Sequence, residues 1–294
     1  MENFDFKRYN FYICNMTKSS LVSHYLRQLF LTLGKQVRIL RVHPTEEDAL
    51  HEFRLQIKRL RALLYFLNTV IPDKKPLKLP RTLKNIFRAS GFLRDLQVQR
   101  KVVQDFFPEP WFVSFLKTTQ PDWDIARKKI KSVLKAYSQH ATRVFFQRLF
   151  RRLSHLKISS LPNLSLPLVQ AKLELAVQAL SCETPALHEI RIHLKKSQYL
   201  LEILVKYFHL EDIIHDSFDR LKKITARLGI WHDQEVFALY LQRQTFEDEE
   251  GWNQKFIRQH LQASALLATE LSEQIPDLIN ALYWQTEEGA YSHV

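Results

Sequence analysis

Two phrases occur twice in this chain, in the same order and at nearly the same spacing, and that repetition constrains the fold more than any other feature. Residues 51–61 read His-Glu-Phe-Arg-Leu-Gln-Ile-Lys-Arg-Leu-Arg, and residues 188–196 read His-Glu-Ile-Arg-Ile-His-Leu-Lys-Lys. Residues 83–98 (Leu-Lys-Asn-Ile-Phe-Arg-Ala-Ser-Gly-Phe-Leu-Arg-Asp-Leu-Gln-Val) align without a gap on 221–236 (Leu-Lys-Lys-Ile-Thr-Ala-Arg-Leu-Gly-Ile-Trp-His-Asp-Gln-Glu-Val). The first pair is offset by 137 residues and the second by 138. Two collinear matches at one spacing imply a tandem duplication, so the fold of one half should recur in the other. The proline- and serine-punctuated stretch 159–167 reads as the linker. It separates a first half, 17–158, from a second, 168–294, with residues 1–16 as an N-terminal extension.

Within each half the apolar period is helical. Leu50, Phe53, Ile57, Leu60, Leu64 and Leu67 follow three- and four-residue steps, as do Leu187, Ile190, Leu194, Leu201 and Leu204. Thr45 with Asp48 resembles a capping box, Pro72 stops that helix, and Thr184-Pro185 reads as N-cap and N1. Further helices are predicted over roughly 19–42, 80–104, 122–155, 168–181, 212–245 and 252–284. Five glycines in 294 residues argue against a turn-rich β architecture, and no strand pattern stands out. The predicted fold class is all-α, with about four helices per half, consistent with two tandem helical bundles.

The repeated phrase carries the chemistry. At helical pitch His51, Arg54, Lys58 and Arg61 lie on one stripe beside the apolar one, and His188, Arg191 and Lys195 repeat it. Stacked basic groups repel one another and destabilise an isolated helix, so an anion should compensate them. Guanidinium forks grip phosphate oxygens in pairs and lysine supplies a compact positive point, which suits an extended anion with regularly repeating charge. The net charge of +12 agrees, and points to nucleic acid, polyphosphate or an acidic membrane as partner. It is uneven: residues 1–160 hold 31 Lys and Arg against 12 Asp and Glu, whereas 161–294 hold 12 against 19. Lys84 and Arg88, the counterpart Lys222, and the Lys128, Lys131 and Lys135 row are further cations predicted to share the surface.

Other chemistry finds little support. Cys14 and Cys182 make neither a disulfide framework nor a metal site. No P-loop, His-Glu-x-x-His, Gly-x-Ser-x-Gly or Cys-x-x-Cys motif occurs. His232-Asp233 has the look of a metal-dependent phosphohydrolase dipeptide, but its counterpart is Arg94-Asp95, which cannot be a metal pair. The repeated element is the aspartate, read as capping or orienting a neighbouring basic group. No signal peptide or spanning run is visible, so a cytoplasmic protein is expected, without metal or cofactor and without catalytic residues.

The pairing of His-x-x-Arg-x-x-x-Lys-Arg-x-Arg at 51–61 with Gly-x-x-Arg-Asp-Leu-x-Val at 91–98 resembles the CHAD family of histidine-containing α-helical domains, and the second-half motifs resemble its other repeat. The resemblance covers about 17–285. It implies two tandem four-helix bundles related by an internal pseudo-twofold duplication, with a basic groove or pore between them that binds inorganic polyphosphate, and association to polyphosphate granules. It nominates His51, Arg54, Lys58, Arg59 and Arg61 in the first half and His188, Arg191, Lys195 and Lys196 in the second. The chain departs from the family pattern at Gln198, where an arginine matching Arg61 is usual, and Glu202 adds an acid one turn on. Binding is therefore expected to lean toward the first half. A nucleic-acid-binding protein using the same surface is the main alternative, and a metal-dependent phosphohydrolase the weaker one.

Overall fold

The computed structural model describes residues 21–71, 75–153, 161–208, 211–243 and 251–291. Among them are nine helices and no strand: α1 Leu21–Val42, α2 Glu47–Val70, α3 Arg81–Phe106, α4 Glu109–Lys135, α5 Gln139–Leu153, α6 Leu161–Leu180, α7 Leu187–Phe208, α8 Glu211–Arg243 and α9 Trp252–Tyr291. The all-α prediction is met. The apolar stripe predicted on α2 is buried throughout, with Leu50, Phe53, Ile57, Leu60 and Leu67 fully so. On α7 Leu187, Ile190, Leu194 and Leu201 are likewise buried, while the side chain of Leu204 lies outside the described ones.

The helix ends differ from expectation in instructive ways. The α2 cap is Glu46, whose carboxylate accepts from the Ala49 amide at 2.8 Å; the neighbouring Thr45 instead offers its carbonyl to Gln97 Nε2 at 3.0 Å. A carboxylate reaches the third amide of a helix as a threonine does, and its charge suits the positive end of the helix dipole. α7 begins at Leu187, not at Pro185, because the turn from α6 is closed by Ala186 N donating to Ala179 O at 3.1 Å, which holds 185–186 out of the helix. The helix predicted over 122–155 is two: α4 stops at Lys135, and Ser138 starts α5 by accepting from the Ala141 amide on its hydroxyl at 3.1 Å. α4 also begins at Glu109, well before the predicted 122, since Pro110 sits in the first turn, where no amide is needed. Among the described residues the first half thus has five helices instead of four. α6 starts at Leu161 with Pro162 in its first turn, inside the stretch read as a linker, and residues 159–160 lie outside the described residues.

Packing joins the helices by a regular scheme. α1 packs on α2, α2 on α3 and α3 on α4, and α4 returns to α1; α6, α7, α8 and α9 follow the same circuit. Between the circuits α2 packs on α7 and α3 on α8, flanked by α1 on α7 and α6 on α2. One apolar core, drawing on all nine helices, runs through both circuits. A second, aromatic cluster forms where the α3–α4 corner meets α8 and α9. There Phe107 lies 4.4 Å from Trp111, 5.7 Å from Phe237 and 5.6 Å from Phe256, ring centre to ring centre. Each such buried ring stabilises the fold by roughly 1.5–3 kcal/mol. These contacts hold α2, α3, α7 and α8 side by side. Both repeated phrases lie on those four helices. No helix among the described residues is long and apolar enough to cross a membrane.

Candidate functional site

Where α2 and α3 face α7 and α8, a cleft of about 430 Å³ opens. α2 contributes His51, Arg54 and Lys58, α3 contributes Arg94 and Asp95, α7 contributes Arg191, Lys195 and Tyr199, and α8 contributes His232 and Asp233. A second depression of about 340 Å³ adjoins it, sharing Lys58, Arg191, Lys195 and Tyr199 and adding Arg61 and Lys196. The apolar stripes of α2 and α7 go into the core. That rotation turns the basic stripes, displaced around each helix, toward one another across the seam.

Arg54 is held in place by the second repeated phrase. Its Nη1 donates to the Phe87 carbonyl at 3.0 Å and to Ser90 Oγ at 3.2 Å, and its guanidinium carbon lies 4.7 Å from the Phe87 ring centre. A Cβ on Gly91 would stand 3.3 Å from that Nη1, so the glycine of the motif makes room for the arginine of its partner motif. Arg61 lies over the same Phe87 ring at 4.0 Å. The matching positions on α7 and α8 are packed more loosely: nothing lies within 4 Å of a Cβ at Gly229, and the buried Nε of Arg191 has no hydrogen-bond acceptor among the described residues.

Like charge is crowded here. Burial first, then Arg54, Arg191 and Lys195, push the Lys58 amine down to about 8 against the opposing pull of Asp233. Burial and Arg191 bring Lys195 to about 8 as well, and its Nζ donates to Gln198 Oε1 at 3.0 Å. Gln198 thus stands where the family pattern has an arginine and acts as an acceptor, also taking the Thr225 hydroxyl at 2.8 Å. Burial, with Arg191 and His188 adding to it, drives His232 to about 4, and burial and Arg94 lower His51. Both histidines are therefore neutral at neutral pH without a bound anion. Asp95 and Asp233 are raised by burial, which Arg54 opposes for the first and Arg191 for the second. Each aspartate is thus attracted by the stripe arginine of its own half, without a hydrogen bond or ion pair to it among the described residues. Five cations meet two carboxylates in this space.

Of the residues predicted from sequence, His51, Arg54, Lys58, Arg191 and Lys195 line the cleft, and Arg61 and Lys196 line the adjoining depression. His188 is exposed, with its ring centre 5.3 Å from that of His232. Arg59 turns away from both spaces: Nη2 lies 2.8 Å from Glu202 Oε1 and Nε donates to Oε2 at 3.1 Å, a forked pair across the α2–α7 seam. Lys84 and Arg88 are exposed on α3 outside both depressions. Lys222 is exposed and paired with Asp219 at 2.9 Å. Lys131 and Lys135 lie with Arg41 in a separate depression where α1 and α4 end. Helical spacing alone could not tell these faces apart.

Arg94, Asp95, Tyr199, His232 and Asp233 line the cleft and were not nominated. The signal for four of them was present, since Arg94-Asp95 and His232-Asp233 occupy matched positions of the second phrase. Tyr199 had no such marker. Among the described residues no group of three or more His, Cys, Asp or Glu is placed to hold a metal ion.

The CHAD domain profile matches residues 25–242. The fold is similar to that of the CHAD domain from the plant Ricinus communis, solved by crystallography, with a TM-score of 0.61, 16% identity, and coverage of 88% of this chain and 89% of that one. Comparison with curated proteins finds no match. With its two paired motifs converging on one seam and a family profile spanning well over half its length, the chain belongs to the CHAD domain family.

Proposed function

We propose that the cleft binds inorganic polyphosphate and performs no catalysis on it. The observation that carries this reading is the crowding around Lys58, whose amine is forced down to about 8 by burial and three neighbouring cations. A fold tolerates such repulsion where a ligand relieves it, and a chain of phosphates offers one negative charge per residue at a spacing that guanidinium and ammonium groups can match. Family membership supports the same ligand. The two adjoining depressions give an extended track, with Arg54, Arg191 and Lys58 in the first and Arg61 and Lys196 in the second. His51 and His232, neutral without a bound anion, would gain protons beside bound phosphate.

Halves 17–158 and 168–294 are read as copies of one unit within a single domain over 17–285. Exchanging α1 with α6, α2 with α7, α3 with α8 and α4 with α9 maps every packing pair onto another pair. The exception is α5 on α1, so α5 is an addition to the first copy. Such an exchange places the cleft on the pseudo-twofold axis and makes it a joint product of both copies. The protein would act in the cytoplasm, on polyphosphate granules.

Titration with long-chain polyphosphate, in competition with duplex DNA and RNA at equal phosphate concentration and fixed salt, tests the reading. Polyphosphate should bind at low salt, weaken steeply as salt rises, and resist displacement by either nucleic acid. No binding at low salt would defeat it, and ready displacement would move the ligand to nucleic acid.

A further inference from the structure

Two cations of the cleft, Lys58 and Arg191, make no hydrogen bond and no ion pair among the described residues, although Asp233 attracts both. Among the described residues Arg59 pairs with Glu202 and Lys195 donates to Gln198, whereas Lys58 makes no hydrogen bond and no ion pair. Its half-buried side chain lines both depressions. The guanidinium groups of Arg54 and Arg191 border the same space, and the Nε of Arg191 has no acceptor. A donor array suited to a phosphoryl group therefore surrounds an unengaged amine. Neutral amines are nucleophiles, and a bound acyl phosphate holds a reactive carbonyl carbon one oxygen away from its phosphorus. Docking the phosphoryl end would bring that carbon to the amine and make the reaction effectively unimolecular.

We propose that Lys58 is a modification site that accepts an acyl group from small acyl phosphates docked by their phosphoryl end on Arg54 and Arg191. The inference rests on the reading of the cleft as an anion site. In the step, the Nζ lone pair forms a bond to the carbonyl carbon. The bond from that carbon to the phosphate oxygen breaks, inorganic phosphate leaves with the electron pair, and the surplus amine proton passes to phosphate or solvent. The product is a neutral amide, so the cleft loses one cation. An amine at about 8 has roughly 300 times the neutral fraction at pH 7 of one at the ordinary 10.5. Lower basicity makes the neutral amine a weaker nucleophile and takes back much of that advantage, so selectivity for Lys58 comes mainly from docking.

The probe is acetyl phosphate, added to the folded full chain at pH 7, with acetylation at each lysine followed by peptide mass spectrometry at early times. Lys58 should be acetylated at least about tenfold faster than the exposed Lys84, and pyrophosphate should suppress Lys58 alone. With N-hydroxysuccinimidyl acetate, which carries no phosphoryl group, the preference for Lys58 over Lys84 should shrink. Equal rates at Lys58 and Lys84 with acetyl phosphate would overturn the proposal, and so would an identical preference with both reagents. If polyphosphate binds and Lys58 shows no preference, the modification site falls while the polyphosphate reading stands. If Lys58 reacts selectively and long polyphosphate does not bind, the modification site stands and the polyphosphate reading falls.

Discussion

Removing Glu202 should weaken the fold and strengthen anion binding at once, because that carboxylate is the only acid paired across the α2–α7 seam among the described residues. Its two oxygens hold the Nη2 and Nε of Arg59 at 2.8 and 3.1 Å, and the side chains are only 11% and 20% exposed. Burial lowers the tendency of Arg59 to stay charged, and the hydrogen bonds to Glu202 outweigh it. Breaking a buried pair by neutralising one partner costs about 3–5 kcal/mol. Arg59 keeps some exposure and a second, looser carboxylate, Glu52, at 3.7 Å, so Glu202→Gln should cost about 2–3 kcal/mol. Urea titration of the empty protein measures it as a lower midpoint at an unchanged slope. Arg59→Met combined with Glu202→Leu should recover most of the loss, since an apolar pair of similar volume carries no desolvation cost. Glu202 also supports the charge of Lys195, yet the net change of one unit in the local field should raise polyphosphate affinity several-fold at pH 7. A loss below about 0.5 kcal/mol for Glu202→Gln, or a double variant no better than the single one, would refute the reasoning that the pair ties the halves together.

Gly91→Ala should lower polyphosphate affinity with little change in stability, because the new Cβ meets the Arg54 guanidinium at 3.3 Å while helix propensity improves; Gly229→Ala, with open space, should stabilise by about 1 kcal/mol and leave affinity unchanged. The half-by-half charge count predicts that reversing Arg54 and Lys58 to Glu costs more affinity than reversing Arg191 and Lys195. The cleft predicts comparable losses in the same titration, since all four side chains line it. Affinity should fall as pH rises through about 8 at constant ionic strength, because Lys58 and Lys195, both lowered to about 8, lose their charge there; Lys58→Arg should make that fall shallower, and a flat profile from pH 7 to 9.5 would contradict the crowding. The same two shifts act oppositely on the empty fold. A lysine whose folded value is depressed destabilises fully below about pH 8, and the penalty is relieved as pH climbs toward 10.5.

Much of the architecture was legible because periodicity and duplication are properties of the chain itself. The α2 face from Leu50 to Leu67 could be read residue by residue, since three- and four-residue spacing fixes which side faces the core. The start of α4 was not legible: it lies at Glu109, with Pro110 in its first turn, where a proline costs nothing, and Pro121 in its interior, which a packed helix tolerates. The site was legible in part. Spacing puts Lys58 and Arg61 on one stripe, but which cations meet depends on the pitch of α2 against α7, and that is a tertiary fact. Arg59 shows the limit. It sits inside the nominated motif, one residue from Lys58, and the rotation of a single residue around the helix sends it to Glu202 on the partner helix.

That rotation also answers why the chain keeps like charges stacked where an isolated helix would reject them. The apolar faces of α2 and α7 fix how the two helices approach, and the aromatic cluster around Phe107 and Phe237 holds the far end of α3 against α8. The core thus supplies the energy that brings the stripes together against their repulsion. Asp95 and Asp233 soften that repulsion without removing it, each attracting the arginine of its own half. The remaining electrostatic strain is concentrated at Lys58 and Arg191, which Asp233 attracts but which no acceptor among the described residues hydrogen-bonds. Packing α2 and α3 against α7 and α8 places such strain at their seam, because the basic faces of α2 and α7 meet there as like charge. A ligand that is itself a repeating chain of charge can then engage both copies alike, and the second copy needs no net positive charge of its own to take part. Under the proposed reading it needs only Arg191 and Lys195 on the same cleft as Arg54 and Lys58, and all four line it.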